Sequence, residues 1–180
     1  MQIIETGFMG LLAIEPKVFK DHRGYFLESW NKNTFKEHGI NEDFVQDNES
    51  MSSAHVLRGM HFQMPPWEQG KLVRVMKGSV IDVVVDLRKT EPTYGKHFRY
   101  TLTEAKKNML WIPPGFAHGF LTLEDHTVFF YKCTQVYNKE SEASIAWSDP
   151  DLGIDWGVKE PIVSEKDKVA PLFRDFISPF

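Results

Sequence analysis

Short runs of β-type residues, separated by turn residues, restrict the fold of this chain more than any other feature. Most runs are too short for a helix and are rich in Val, Ile, Phe, Tyr and Thr, which is typical of strands. Turn signals such as Lys77-Gly78 and Pro113-Pro114-Gly115 stand between them. The predicted strands cover residues 10–14, 24–30, 71–75, 80–87, 97–102, 109–112, 119–123 and 127–137.

Helix is predicted only at residues 33–38 and in the segment after Ser164. Many short strands at this spacing favour a β-sandwich or barrel, and a double-sheet jelly roll is one way to close such a set. No repeat or Gly/Ser-rich linker divides residues 1–180, so one domain is expected. The sequence therefore predicts an all-β jelly roll, a sandwich or barrel with a few short helices.

Two of the predicted strands carry further information. Residues 80–86 are too apolar for a solvated strand, so they should lie in the interior or at a subunit interface. The first strand, with Phe8, Leu11 and Ile14, would make an aggregation-prone free edge unless another chain covered it. This predicts a homodimer.

Composition excludes several classes of protein. The net charge of -4 argues against a partner that is a nucleic acid polymer. The single cysteine, Cys133, allows no internal disulfide and fits a reducing compartment. Glu5 stands where a signal peptide would be basic, and no apolar stretch approaches the roughly 18 residues of a membrane span. A cytoplasmic protein without membrane contact is expected.

The densest polar segment runs from Arg58 to Gln63. Strand alternation places His61 and Gln63 on one face and Arg58 on the other. Gly59 could supply a bulge or a strand start that lets both Arg58 and His61 enter one pocket. The alternative is a structural histidine held by hydrogen bonds.

A second segment, Pro113-x-Gly115-x-x-His118, fits the second motif of cupins. In their first motif, Gln63 stands here in place of the second histidine, although Glu68 and Gly78 keep plausible spacing. Two histidines, an amide and a glutamate make a poor transition-metal site, so no metal is predicted. A turn histidine that caps a carbonyl is the alternative for His118.

Aromatic and basic residues complete the candidates. Tyr131 and Tyr137 share parity in the predicted strand 127–137, so both can face one cavity. Arg23, at a turn that enters a strand, could bind a phosphate group through its guanidinium. Arg58, Lys71 and Lys166 are other candidates for that role. Core packing of the tyrosines and ordinary surface charge are the alternatives.

Taken in order, these segments resemble the dTDP-4-dehydrorhamnose 3,5-epimerase family from about residue 7 to residue 172. The shared motifs are Asp21-x-Arg23-Gly24-x-Phe26-x-Glu28, Gln46-Asp47-Asn48, Leu57-Arg58-Gly59-x-His61-Phe62-Gln63, Gln69-Gly70-Lys71-Leu72-Val73, Asp82-Val83-x-Val85-Asp86-x-Arg88, Ile112-Pro113-x-Gly115-x-Ala117-His118-Gly119-Phe120, Tyr131-Lys132, Tyr137, Ile154-x-Trp156 and Ser164-x-Lys166-Asp167. The chain departs from the family at Met64 and in the tail, residues 176–180.

The resemblance implies a homodimeric cupin without cofactor or metal. It implies inversion of C3 and C5 of dTDP-4-dehydro-6-deoxy-D-glucose, on the way to L-rhamnose for lipopolysaccharide or another cell-surface polysaccharide. His61 resembles the general base, with Asp167 as its orienting partner, and Tyr131 resembles the general acid. Lys71 would lie near the sugar carbonyl, and thymine would stack on Tyr137. The implied substrate contacts are Arg23, Glu28, Gln46, Asn48, Arg58, Lys71, His118, Tyr137, Glu142 and Lys166.

These residue types suit that chemistry. A carbon beside a ketone can lose its proton because the carbonyl shares the resulting charge as an enolate. A base must then stand on one face of the carbon and an acid on the other. His61 has a side chain of the right basicity, and Tyr131 carries a donor at neutral pH.

Other functions remain open from the sequence. A single-centre epimerase of another dTDP-deoxysugar pathway would keep His61 and Tyr131. A metal-dependent cupin isomerase or dioxygenase would bind its ion through His61 and His118. A non-catalytic sugar-binding cupin would use the same pocket without turnover.

Overall fold

The computed structural model describes residues 1–180, and antiparallel strands dominate it. The strands are β1 (Gln2–Glu5), β2 (Leu12–Glu15), β3 (Val18–Asp21), β4 (Gly24–Leu27), β5 (Gln46–Ser52), β6 (Leu57–Gln63), β7 (Lys71–Lys77), β8 (Ser79–Asp86), β9 (His97–Thr103), β10 (Met109–Ile112), β11 (Phe116–Thr122), β12 (Thr127–Cys133) and β13 (Glu142–Ser144). The helices are α1 (Lys32–Glu37), α2 (Glu165–Lys168) and a 3-10 turn at Phe173–Asp175. Neither α-helix has the length and apolarity that crossing a membrane requires.

Two sheets pack face to face. The larger has six strands in the order β1-β2-β10-β7-β12-β5, and the smaller has five in the order β13-β6-β11-β8-β9. Val73 and Leu110 of the larger sheet meet Val84 and Phe120 of the smaller one in the central core. The predicted all-β sandwich with few helices is confirmed. The remaining strands, β3 and β4, pair only with each other and form a separate hairpin.

Strand β8 is buried along its whole length, which confirms the interior position predicted for residues 80–86. Its even-numbered apolar residues face the larger sheet, and Ile81, Val83 and Val85 face away from it. That second face is covered by the C-terminal part of the chain, including Trp156. A strand with both faces buried has no solvated side, so it needs no polar alternation. The polar residues that this strand nevertheless buries are Ser79, Asp82 and Asp86.

The unusual tail belongs to the same cover. Phe176 and Phe180 pack against Phe62 of β6, with ring centroids 5.1 and 6.2 Å away. The backbone N–H of Lys89 donates to the carbonyl of Phe180. Met64 packs at the edge of the same apolar cluster. Both departures from the family pattern thus serve packing on the outer side of the smaller sheet.

The edge argument for a homodimer is wrong in its premise. The strand that was predicted to be free, now β2, lies between β1 and β10 and pairs with both. The edges of the larger sheet are β1 and β5 instead. The sequence signal for β1 was missed because residues 2–5 alternate little in polarity. The homodimer itself stays a prediction.

The last long strand is shorter than predicted. Strand β12 ends at Cys133, so Tyr137 lies in the following loop. The parity argument that placed Tyr137 on the same face as Tyr131 is therefore wrong. Strand β5, which pairs with β12 along its length, was not predicted because its polar residues mask the period of two.

A bulge in β6 decides which side chains of this strand reach the interior. His61 pairs with His118 of β11, and Arg58 pairs with Phe120, so β6 uses one residue more than β11 over this stretch. The extra residue reverses the alternation between Arg58 and His61, which is the bulge that Gly59 left open beside a strand start. Gly59 has φ +150°, and a Cβ on it would stand 2.6 Å from the Cα of Gly119.

We predict that Gly59→Ala lowers the free energy of unfolding by about 3 kcal/mol or more, because the methyl group meets backbone that cannot move aside. Gly153→Ala is the control, since Gly153 also has positive φ (+58°) but no atom within 4 Å of its Cβ position. It should cost about 1 kcal/mol. Urea denaturation measures both values, and equal losses would contradict the close-contact argument.

Candidate functional site

The main cavity opens between the two sheets at the end where β6, β11, β7 and β12 come together. Its volume is about 520 Å³, within the usual range of small-molecule sites. Strand alternation sends the inner side chains into it, and the segment before and in α2 closes one wall. The predicted site residues that line it are Asn48, Arg58, His61, Lys71, His118, Tyr131, Lys166 and Asp167.

His61 is held by a carboxylate from the far end of the chain. Its Nε2 lies 2.7 Å from Oδ1 of Asp167, which is buried on α2. Burial alone would raise the pKa of Asp167, but the hydrogen bond and charge of His61 hold it below its usual range. Because an ionised carboxylate only accepts, Nε2 donates and Nδ1 is left to accept a proton. Ser164 caps α2 by accepting from the N–H of Asp167.

A second imidazole–carboxylate pair lies beside the first. Nε2 of His118 is 2.8 Å from Oδ2 of Asp82, and both side chains are buried. Burial raises the pKa of Asp82 and lowers that of His118, so each is pushed toward its neutral form. The other oxygen of Asp82, Oδ1, is buried without a partner. In register on adjacent strands, His61 and His118 stand side by side.

Tyr131 and Lys71 come from the opposite sheet. Burial raises the pKa of the Tyr131 phenol to about 12, and the nearby Arg58 opposes this shift. The phenol therefore keeps its proton over the whole physiological range. Nζ of Lys71 lies 5.9 Å from the centre of the Tyr131 ring, and burial lowers the pKa of its ammonium group. An acid and a cation thus face the two histidines across one cavity.

The remaining rim residues form a continuous hydrogen-bonded series. Gln46 donates to Oδ1 of Asn48 (3.0 Å) and accepts from the backbone N–H of Tyr137 (2.8 Å). The Tyr137 hydroxyl donates to Glu142 (3.0 Å), and Glu142 forms an ion pair of 2.5 Å with Lys166. The cavity is therefore flanked at its mouth by Gln46, Tyr137 and Glu142, which are linked to the lining residues Asn48 and Lys166 but do not line the cavity themselves. Tyr137 as a whole is 54% exposed.

Two predicted contacts lie elsewhere in this chain. Arg23 sits at the tip of the β3–β4 hairpin, pairs with Asp21 at 2.6 Å and is exposed. Glu28 follows that hairpin and accepts from Asn31 and Thr34 at the start of α1. Neither lines the main cavity. Their implied role as substrate contacts therefore stays a prediction, and in a single chain they lie apart from His61.

Gln63 does not point into the cavity, although it stands where metal-binding cupins have a histidine. Its amide contacts only backbone groups of two neighbouring loops. No three His, Cys, Asp or Glu side chains lie close enough together to bind a metal ion. The residues present thus fit a metal site poorly, and the absence of a cofactor stays a prediction.

Sequence reasoning missed Asp82 as a site residue. An aspartate in the middle of a run of valine and isoleucine was the available signal, because a buried carboxylate needs a partner. It also missed Ile162 and Val163, which line the cavity wall. They reach it through a short parallel bridge between Val56 and Ile162, and no local pattern in the sequence announces that contact.

Comparisons with known proteins agree along almost the whole chain. The profile of the family described as dTDP-4-dehydrorhamnose 3,5-epimerase matches residues 5–175. A dTDP-4-dehydrorhamnose 3,5-epimerase of Shigella flexneri is 49% identical over 176 residues, which cover 97% of each chain. These matches confirm the resemblance that the ordered motifs predicted.

Solved structures match equally well. The dTDP-4-dehydrorhamnose 3,5-epimerase of Elizabethkingia anophelis superposes with a TM-score of 0.93 at 48% identity, covering 97% of each chain. The dTDP-6-deoxy-D-glucose-3,5-epimerase of Legionella pneumophila, solved in complex with dTDP-4-keto-L-rhamnose, gives 0.92 at 46% identity. It covers 96% of this chain and 93% of its own.

Proposed function

This chain belongs to the dTDP-4-dehydrorhamnose 3,5-epimerase family, and on that premise we propose that it converts dTDP-4-dehydro-6-deoxy-D-glucose to dTDP-4-dehydro-L-rhamnose. The observation that carries the proposal is one cavity that holds the Asp167–His61 pair and, from the opposite sheet, Tyr131. A base and an acid on facing walls are what inversion at a carbon beside a ketone requires. Residues 1–180 form the proposed catalytic domain.

In the proposed reaction, the free Nδ1 of His61 removes the proton at C3 or C5. Asp167 stabilises the imidazolium that forms and holds the ring in one orientation, since its buried carboxylate already accepts from Nε2. The electron pair moves onto the ketone oxygen and gives an enolate. Tyr131 then returns a proton from the opposite face, and its raised pKa keeps that proton available.

The enolate oxygen needs a positive or donating neighbour while it carries charge. Lys71 lies in the cavity beside Tyr131 and would supply it, with His118 as a second donor on the facing sheet. Such preorganised groups are typically worth about 3–4 kcal/mol of barrier each. The Asp82–His118 hydrogen bond would fix the direction of that second donor.

The nucleotide would bind toward the cavity mouth. Arg58 and Lys166 line the opening and are cations suited to the diphosphate. Thymine would stack on the exposed face of Tyr137, a contact typically worth about 1–3 kcal/mol. These anchors hold the sugar between acid and base, which is what makes proton transfer efficient.

The proposal includes a homodimer in the cytoplasm. The β3–β4 hairpin exposes the large side chains Phe19, Tyr25 and Phe26, which a second copy could cover. Arg23 and Glu28 would then reach the cavity of the partner rather than their own. This accounts for two substrate contacts that lie apart from the site in a single chain.

Solvent exchange tests the reaction directly. When the enzyme turns over its substrate in heavy water, deuterium should enter both C3 and C5, because each centre is reprotonated from a group in contact with solvent. His61→Ala should lower kcat about 10²- to 10⁴-fold. Tyr131→Phe, which keeps the ring, should slow reprotonation more than it weakens substrate binding. NMR of the sugar protons measures deuterium entry at each carbon and the turnover rate of each variant.

Two results would count against the double epimerase. Deuterium at only one carbon would indicate a single-centre epimerase. Full activity of His61→Ala, or activity that requires stoichiometric iron, zinc or manganese, would point to a different kind of cupin.

Mixed dimers test whether the hairpin serves the partner's site. Arg23→Ala and His61→Ala should each be nearly inactive as homodimers. When the two are unfolded and refolded together, each mixed dimer regains one intact site, so about a quarter of wild-type activity should return. No recovery in dimers that have demonstrably mixed would place Arg23 in its own subunit's site, and a monomer by light scattering would reject the dimer.

The pH dependence tests Lys71. Burial lowers the pKa of its ammonium group, and the nearby Cys133, Asp82 and Glu142 only partly oppose this. Activity should therefore fall as pH rises through that lowered pKa, well before Tyr131 ionises at about 12. Lys71→Arg should have a lower kcat at neutral pH but should keep its charge. We expect its activity to persist to higher pH than that of the wild type.

Lys132→Arg is the matched control, because Lys132 pairs with Asp47 outside the cavity. Its pH profile should coincide with that of the wild type. If Lys71→Arg lost activity at the same alkaline midpoint as the wild type, Lys71 would not be the titrating group.

A further inference from the structure

The amide of Gln63 brackets Tyr137 from both sides. Its Oε1 accepts from the backbone N–H of Asn138 (2.7 Å), and its Nε2 donates to the carbonyl of Val136 (3.2 Å). The second N–H of the same amide donates to the carbonyl of Trp67 (2.5 Å). One side chain therefore fixes the residues before and after Tyr137 and ties their loop to the loop that follows β6.

Both N–H groups of this amide donate a hydrogen bond, and its oxygen accepts one. Gln63 is 4% exposed, so water cannot replace a lost partner without rearrangement. A neutral imidazole has one donor and one acceptor and could not provide two donors and an acceptor. The position that carries a metal-binding histidine in other cupins thus has a side chain fitted to hold backbone.

The bracketed segment has no strand partner, but short-range hydrogen bonds also support it: the backbone N–H of Val136 donates to Oε1 of Gln135, and that of Ser141 donates to Oδ1 of Asn138. Tyr137 lies in a loop beyond the end of β12, and its ring is exposed. Its own N–H is bound by Gln46 and its hydroxyl by Glu142. Those two contacts hold the peptide and the far end of the ring, whereas Gln63 sets the course of the chain on either side. Fixing the backbone in advance lowers the entropy lost when a ligand stacks on the ring.

We propose that Gln63 is a positioning residue for nucleobase recognition: it clamps the loop so that the Tyr137 ring stands ready to stack on the base. The proposal rests on the proposed function for the identity of the ligand. Gln63 touches neither the sugar site nor the groups that move protons, so its effect belongs to binding rather than to chemistry.

Gln63→Glu is the sharpest variant because it keeps the shape but replaces both donors with an oxygen that faces two carbonyl groups. We expect the Kd for dTDP, measured by titration calorimetry, to rise roughly tenfold, the size of a lost stacking contact. The KM for the sugar nucleotide should rise in parallel, while kcat changes less than about twofold. Gln63→Met removes all three hydrogen bonds without adding charge, and we expect the same changes in Kd, KM and kcat. It replaces Gln63→Glu in the test if that variant does not fold.

Asn108→Asp is the matched control. Asn108 is also buried and lies in the turn between β9 and β10, away from the cavity. Its amide accepts from the N–H of Thr103 and donates to the carbonyl of Thr101, both in β9. It should lose stability like Gln63→Glu yet bind dTDP as the wild type does. Weakened binding in this variant to the same degree would mean that general destabilisation explains the result, and would overturn the clamp.

The double variant Gln63→Glu/Tyr137→Ala completes the test. If the clamp acts through the ring, the double variant should bind dTDP no more weakly than Tyr137→Ala alone. Losses that multiply, or an unchanged Kd in Gln63→Glu, would overturn the proposal. Backbone amide exchange at Asn138, which should speed up in Gln63→Met, reports the clamp without any ligand. If Gln63→Met speeds up amide exchange at Asn138 but the wild-type protein binds no dTDP, Gln63 does hold the loop and it is the proposed function that has failed.

Discussion

The close approach of β6 to β11 is the constraint on which the rest of the site depends. Gly59 and Gly119 let the two backbones nearly touch, and the extra residue in β6 turns both Arg58 and His61 inward. Without that bulge, regular alternation would send one of them to the far side of the sheet. His61 and His118 would then not stand together at the cavity floor.

Burial shapes the electrostatics of that floor. Each histidine is paired with a carboxylate from elsewhere in the chain, Asp167 or Asp82. The two pairs differ, because Asp167 is kept ionised by its partner whereas burial drives the Asp82 pair toward neutrality. An ionised carboxylate supports a base that must gain a proton, and a neutral pair suits a donor that stays in place. One cavity can therefore hold two chemically similar pairs in different roles.

The cavity mouth is built differently from its floor. The floor consists of side chains on strands, whose positions follow from the sheets. At the mouth, the exposed ring of Tyr137 depends on side chains that bind its loop, among them Gln46, Gln63 and Glu142. Loops have few backbone partners of their own, so side-chain amides and carboxylates replace the hydrogen bonds that a sheet would supply. The mouth and the floor of the cavity are thus held in place by different kinds of contact.

The sequence alone determined the sandwich, because strand period and turn residues are local signals. It also singled out His61, Tyr131, Lys71 and Asp167 as candidates for the chemistry, because they stand in ordered motifs. For Gly59 it left a bulge and a strand start open, and the structure shows the bulge. Only the tertiary structure decided which of these side chains meet: Asp167 reaches His61 across 106 positions of the chain, whereas Arg23 stays apart. Such contacts arise from packing between distant segments, and neither the period of a strand nor the spacing of a motif encodes them.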